Sequence, residues 1–378
     1  MDVQTNTNQE ALFALLQAGL WAKSEKKVSM AGLVSWDEVY RLASEQSVLG
    51  LVLAGIERLK NTNVNLDINQ ELLLQWIGEV QILEQQNKAM NHFIAELVER
   101  LRKADIYILL VKGQGVAQCY EKPLWRSCGD VDLLLSNDNY QKAKAFLSEI
   151  ADHVDEEDKE ILHLGMTIDQ WTVELHGTMR TQISSRMNRG IDEVQHDLFY
   201  GGNVRSWMNG DTHVFLPDPN NDAILIFSHY LQHFYIGGVG LRQICDWCRL
   251  LWTYKDSLNH GLLESRIRKM GLMSEWEAFG AFAVEYLGMP VEAMPFYDSS
   301  VKWKRKAERL LSFILKVGNM GHNHDYSFRQ KYSGLLSYLI THRIRLVDSV
   351  NRFIIFPVDA PKFFVHYVMN RFVAKLKG

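Results

Sequence analysis

The chain has 378 residues, of which 47% are hydrophobic and 23% charged, with 25 Gly and 7 Pro; this excludes a disordered chain and leaves apolar material for one large core or two modest ones. Four cysteines at this length exclude a disulfide framework and fit a reducing compartment. The net charge of −4 conceals an asymmetry, because residues 301–378 hold 15 Lys and Arg against 4 Asp and Glu, and the rest of the chain holds 26 against 41.

The N-terminal sequence MDVQTNTNQEALFALLQ lacks a basic segment followed by an apolar run. No window reaches about 18 uninterrupted apolar residues, so neither a leader nor a crossing helix is expected, and the expected location is the cytoplasm. Residues 8–60 read as helices, with Leu12, Leu15, Leu16 and Leu20 at spacings of three and four and the same rhythm from Trp36 to Leu59. A long helix is predicted from Leu72 to Lys103, with Ile82, Met90, Phe93, Ile94, Leu97 and Leu101 on its apolar face. The period then changes. Ile106–Val111 is short and almost wholly apolar and suits a buried strand. Lys112-Gly-Gln-Gly115 follows, and a short helix is predicted over Val116–Glu121, stopped by Pro123.

Asp130–Leu135 reads as the next strand and Tyr140–Ile150 as a helix. Ile161–Met166 and Trp171–His176 read as a strand pair joined through Asp169 and Gln170, and Thr212–Leu216 as a further strand. From Asp222 the pattern is helical almost to the end, with Pro217 and Pro219 at the junction and Asn220 or Asn221 as the cap. The expected organisation is an N-terminal helical region (1–104), an α/β unit (105–217) and a C-terminal helical region with a basic tail (218–378). No repeat or low-complexity tract interrupts it.

The chemistry concentrates in the α/β unit. Asp130 and Asp132 lie two apart in an apolar strand, so both side chains take the same face of the sheet. Two carboxylates side by side repel, and their burial is costly without a cation between them. Oxygen donors on a rigid strand suit Mg²⁺, which prefers a few carboxylates plus substrate phosphates. Glu174, in the apolar strand Trp171-Thr-Val-Glu-Leu-His176, brings a third carboxylate if the two strands are neighbours. Three such groups suit two ions about 4 Å apart, one at the attacking oxygen and one at the leaving phosphate. Upstream, Lys112-Gly113 follows a strand and opens a helix, a place where backbone N–H groups attract phosphate and Lys112 adds charge. A lone Asp-x-Asp in a strand is as often a solvated edge; the order Lys-Gly, Arg126, Asp-Val-Asp, Glu-Leu-His makes that reading the minority one.

These segments, LLVKGQGVAQCY, RSCGDVDLLL and WTVELHG, resemble the uncharacterised nucleotidyltransferase family of the polymerase-beta superfamily. The resemblance covers about residues 90–255 and includes a later helical part with His229, His233, Arg242 and Asp246. It implies that Asp130 and Asp132 are metal ligands, Glu174 the third carboxylate, and Gly113 part of the phosphate turn. One departure stands out. The superfamily usually places Gly-Ser or Gly-Gly in that turn, where Gly113 is followed by Gln114, and Asp130 lies 17 positions beyond Gly113.

Other residues divide between roles. His229 and His233, four apart on one helix face, read first as packing histidines and second as a metal or phosphate contact at the cleft; HYLQH lacks the Glu of a zinc-protease helix. Cys245 and Cys248 form a Cys-x-x-Cys inside a helical run with no second pair, and read as core. His176 shares the face of Glu174, either orienting a ligand or meeting the nucleotide. Arg126 pairs with Asp130, meets a phosphate, or sits on the surface. Gly237–Gly240 does not follow a strand and reads as a helix–helix turn. The C-terminal region mixes basic residues with Phe353, Phe356, Phe363, Phe364, Tyr367 and Phe372. It reads first as a helical element packed on the acidic body, second as peripheral contact with an anionic membrane, and third as nucleic-acid binding.

The expected fold is α+β, with a small mixed sheet of polymerase-beta nucleotidyltransferase type between extensive helical regions. The expected function is Mg²⁺-dependent transfer of a nucleoside monophosphate from an NTP to a hydroxyl on a sugar, small molecule or protein. Asp130 and Asp132 hold the ion and the triphosphate, and Glu174 assists the acceptor hydroxyl. Lys112, Gly113, Arg126 and His176 contact nucleotide or phosphate, and a wider cleft includes His229, His233, Arg242 and Asp246. The alternative is a non-catalytic module of the same fold that recruits a partner. The acidity of residues 1–300 argues against a long nucleic-acid acceptor.

Overall fold

The computed structural model of the protein describes residues 3–21, 34–61, 66–327, 331–332 and 334–377. It opens with α1 (Val3–Leu20), α2 (Trp36–Glu45) and α3 (Leu49–Lys60); the helical reading over residues 22–33 lies outside the described residues. Helices α1 and α3 cross in near-backbone contact because glycines face each other there. A Cβ on Gly19 would lie 2.0 Å from the Leu51 carbonyl oxygen, and one on Gly55 1.9 Å from that of Leu15.

Helix α4 (Gln70–Lys103) is capped by Asn69, whose side chain accepts from the Glu71 N–H. Met90, Phe93, Ile94, Leu97 and Leu101 are buried as the spacing predicts. Ile82 is not: it is 58% exposed. Two positions past the buried Val80, it points to the opposite side of the helix.

Strands β1 (Leu109–Val111), β2 (Asp130–Leu134), β3 (His153–Val154), β4 (His163–Ile168) and β5 (Trp171–His176) form one sheet in the order β1-β2-β5-β4-β3. Strands β2 and β5 run parallel and the other neighbours antiparallel, so the sheet is mixed. Strand β1 is shorter than the apolar run that announced it. Ile106 and Ile108 are buried, but the Ile106 N–H is used by the Leu101 carbonyl at the end of α4. The short helix α5 (Gly113–Ala117) starts at Gly113, three residues before the predicted start. Helix α6 (Asn137–Ser148) follows β2.

Helix α7 (Ser185–Tyr200) and the hairpin β6 (Val204–Asn209) and β7 (Thr212–Pro217) lead into α8 (Pro219–Ile236). The cap of α8 is Asp218, not Asn220 or Asn221. Its carboxylate accepts from the Asn220 N–H, and Pro219 occupies the first helical position, where it has no N–H to satisfy. Helices α9 (Leu241–Thr253), α10 (His260–Met270), α11 (Met273–Glu285), α12 (Val301–Val317), α13 (Leu335–Ile355) and α14 (Asp359–Lys377) complete the chain. Gly237–Gly240 is a helix–helix turn, with Gly238 at φ +137°.

Two apolar cores flank the sheet. Val131, Leu133, Val173, Leu175 and Leu110 join α4 and α6 on one face. Leu109, Val111 and Leu134 join the large helical core on the other, which also holds Cys245 and Cys248. The alternation inside each strand therefore assigns Asp130, Asp132, Glu174 and His176 to the face covered by the C-terminal helices.

Candidate functional site

The parallel register of β2 and β5 sets Asp132 beside Glu174, and Asp130 beside Thr172. Oxygen atoms of Asp130, Asp132 and Glu174 all lie within 4.8 Å of one another. Asp132 is buried and Glu174 partly so. Lys112 closes the cluster. Its ammonium stands 2.5 Å from Asp132 Oδ1, and His176 Nε2 stands 2.8 Å from the same oxygen. Lys112 reaches this position from a strained backbone, at φ 56° and ψ −145°, where the chain turns from β1 into α5.

Charge explains the protonation states. Burial alone would lower the Lys112 pKa, but Asp132 outweighs it and raises it. Burial opposes ionisation of Asp132, and Lys112 and His176 reverse this and hold its pKa below the usual carboxylate value. Hydrogen bonds from His163 and His176 hold Glu174 low as well. His176 is raised despite burial by its bonds to Asp132 and Glu174. Asp130 goes the other way, pushed up by burial and then by Asp132. Its carboxylate has no hydrogen-bond partner among the described residues. Three oxygen donors in reach of one point, one of them unsatisfied, fit a hard divalent cation such as Mg²⁺.

The carboxylates line a cavity of about 290 Å³ whose other walls come from α5, α8, α9 and the segment around Met320. Gly113 lies on its wall at φ +39°, where a Cβ would press 3.3 Å from Cys128 Sγ. His229 and His233 also line it, 2.8 Å apart between their Nε2 atoms, with His233 Nδ1 2.9 Å from Met320 Sδ. Burial, reinforced by Lys112, depresses both, His233 to about 4, so both imidazoles are neutral at neutral pH. Arg242 reaches the cavity while donating to the Ser127 carbonyl at 2.9 Å.

Arg126 is paired neither with Asp130 nor with solvent. It is 3% exposed and bound to Asp246 through Nε at 3.0 Å and Nη2 at 2.6 Å. Asp246 also accepts from the Tyr120 hydroxyl at 2.8 Å, and Arg126 Nη1 is buried without a hydrogen-bond partner among the described residues. Lys112 and Gly113, at the turn from β1 into α5, both line the cavity, with the Lys112 ammonium paired to Asp132. Gln114, the residue after Gly113, is buried and donates to Asn87 Oδ1 at 2.7 Å.

The sequence reading overlooked His163. Its Nε2 lies 3.2 Å from Glu174 Oε2, and His163, Glu174 and His176 form a second group of donor atoms within 4.8 Å. The signal was present: a turn through Asp169 and Gln170 places His163 opposite His176 in the antiparallel register. Cys245 and Cys248 are buried core residues with raised thiol pKa values, as expected.

The model of the uncharacterised nucleotidyltransferase family matches residues 33–288. The chain belongs to this family. No curated protein and no solved structure matches it. The nucleotidyltransferase match spans α2 to α11 and so takes in both sides of the cavity, the sheet that carries the carboxylates and the helices that carry His229, His233, Arg242 and Asp246.

Proposed function

We propose that the protein moves a nucleoside monophosphate from an NTP to a hydroxyl acceptor, using a sheet of polymerase-beta type and an Mg²⁺ site formed by Asp130, Asp132 and Glu174. The observation that carries this reading is the convergence of the three carboxylates within 4.8 Å on the wall of one cavity. Divalent ions bound there would neutralise the triphosphate and lower the pKa of the acceptor hydroxyl. The acceptor oxygen attacks the α-phosphorus, the bond from that phosphorus to the bridging oxygen of the β-phosphate breaks, and pyrophosphate leaves. The acceptor proton passes to Asp130, the carboxylate without a hydrogen-bond partner among the described residues. Glu174 is engaged by His163 and His176 and stays ionised as a ligand. Lys112 and His176 fix Asp132 in its anionic form, and Lys112 keeps a positive charge beside the incoming phosphates. His229, His233 and Arg242 line the far wall, where the acceptor or the nucleoside is held.

The test is a thermal melt with ATP, GTP, CTP and UTP, each with and without Mg²⁺, on the wild type and on Asp130→Asn. One nucleotide is expected to stabilise the wild type only with Mg²⁺, by about 2.7 kcal/mol at about 100 times its Kd, and Asp130→Asn to abolish that gain. A cooperatively melting protein that no nucleotide shifts would instead support a non-catalytic module that recruits a partner.

A further inference from the structure

The C-terminal helices break the ordinary rule for exposed surface. Helix α13 shows Leu335 at 73%, Leu339 at 53%, Leu346 at 62% and Ile354 at 52% exposure. These positions recur at helical spacing, so they make one stripe. Helix α14 adds Val365 at 54% and Met369 at 61%. A soluble surface seldom carries so much contiguous apolar area without a partner.

The two helices are nonetheless firmly rooted. Ile355, Phe356, Ala360 and Phe363 are buried in the main core, and Phe353 packs on Phe364 with ring centroids 5.7 Å apart. Arg352 donates to the Phe234 carbonyl at 2.6 Å. One side of the hairpin therefore belongs to the body and the other faces outward by construction.

The sign of the charge narrows the partner. Between residues 331 and 377 the sequence holds two acidic residues, Asp348 and Asp359. Asp348 is buried 2.8 Å from His324, and Asp359 stands 3.8 Å from Lys362. Arg343 and Arg345 are exposed and have no carboxylate partner among the described residues. Arg343 falls four positions after Leu339, inside the apolar stripe itself. An acidic protein surface would match the arginines and leave the aliphatic stripe on polar ground. A neutral apolar groove would strip Arg343 of water. A bilayer interface satisfies both, because arginine extends to the headgroups while the stripe enters the acyl boundary. No helix among the described residues is long and apolar enough to cross a membrane.

We propose that α13 and α14 are a peripheral membrane-binding hairpin that seats the protein on an anionic lipid surface. The proposal does not depend on the catalytic reading. The full-length protein is mixed with phosphatidylcholine vesicles with or without phosphatidylglycerol and floated through a density gradient. Wild type is expected to float with the anionic vesicles at low salt, to release as salt rises, and to stay behind with pure phosphatidylcholine. Leu346→Ser with Ile354→Ser is expected to lose binding to anionic vesicles. Arg343→Glu with Arg345→Glu is expected to do the same, with the circular dichroism of both variants unchanged. Folded wild type that fails to float at low salt overturns the proposal. So does a concentration-dependent dimer, seen by light scattering and abolished by the same serine pair, because it would assign the stripe to a second copy of this chain.

Discussion

Asp132 has a cation on two sides, whereas Glu275 has none in contact among the described residues. It is buried in α11, accepts from the Tyr235 hydroxyl at 2.8 Å through one oxygen, and leaves the other without a hydrogen-bond partner among the described residues. Burial, then the nearby Asp359, pushes its pKa from 4.5 to about 8. A carboxyl whose folded pKa is raised binds more protons folded than unfolded, so stability falls as pH climbs from 4.5 to about 8 and levels off above. Glu275→Gln should flatten that slope and stabilise the protein at pH 8 by at least about 1 kcal/mol, read from urea melts across the range. A slope unchanged by the substitution would show that Glu275 is charged when folded. The Arg126–Asp246 pair makes the complementary case. Arg126→Ala leaves the buried Asp246 carboxylate without its cation, with the Tyr120 hydroxyl still bound to it, and is expected to cost about 3–5 kcal/mol in the same melts. The three clustered carboxylates were legible because a period of two and a parallel neighbour suffice to converge them. The partner of Arg126 was not, since Asp246 lies on a helix 120 positions away and no local pattern links them.

At the scale of elements, glycine shows where sequence reading stops. The helical rhythm of residues 8–20 and 36–59 found α1, α2 and α3, but rhythm does not reveal how closely two helices approach. Gly55→Ala would drive a methyl group against the Leu15 carbonyl, fixed backbone that has to move, and a cost of about 3 kcal/mol or more is expected. Gly78→Ala in α4 meets nothing within 4 Å and should stabilise by about 0.5–1 kcal/mol through helix propensity alone. Equal effects in chemical denaturation would refute this account of the α1–α3 contact. The sheet was partly legible for a related reason. β2 and β5 are buried and apolar enough to declare themselves, while β3 is two exposed residues and β6 alternates without a fully buried position. Such edge pieces exist because a neighbour pairs with them, and their own residues do not call for a strand.

Across the whole molecule, the site belongs to no single stretch of chain. The carboxylates rise from the sheet at 130–176, yet the cavity is closed by α8, α9 and Met320. The core behind the sheet takes Met90, Phe93, Ile94, Leu97 and Leu101 from α4, and the core in front takes residues from Ala11 to Phe363. Excising residues 105–217 would therefore remove α4 from one face of the sheet, leaving α6 there, and remove most of the large helical core from the other. It would take Met90, Phe93, Ile94, Leu97 and Leu101 away from Val131, Leu133, Val173 and Leu175 on one side, and most of the helical core away from Leu109, Val111 and Leu134 on the other. At about 25 cal/mol for each Å² of apolar surface returned to water, the loss of these helices is expected to unfold the remaining sheet. The excised piece is expected to show no cooperative melt by circular dichroism and to sediment as aggregate. A monomeric 105–217 fragment with a sharp thermal transition would show that the sheet folds on its own and that the helices were added around a finished unit. The acidic body and basic hairpin then fit one arrangement: helices on both sides complete the core and the cavity, and the last two turn an apolar, positively charged face outward.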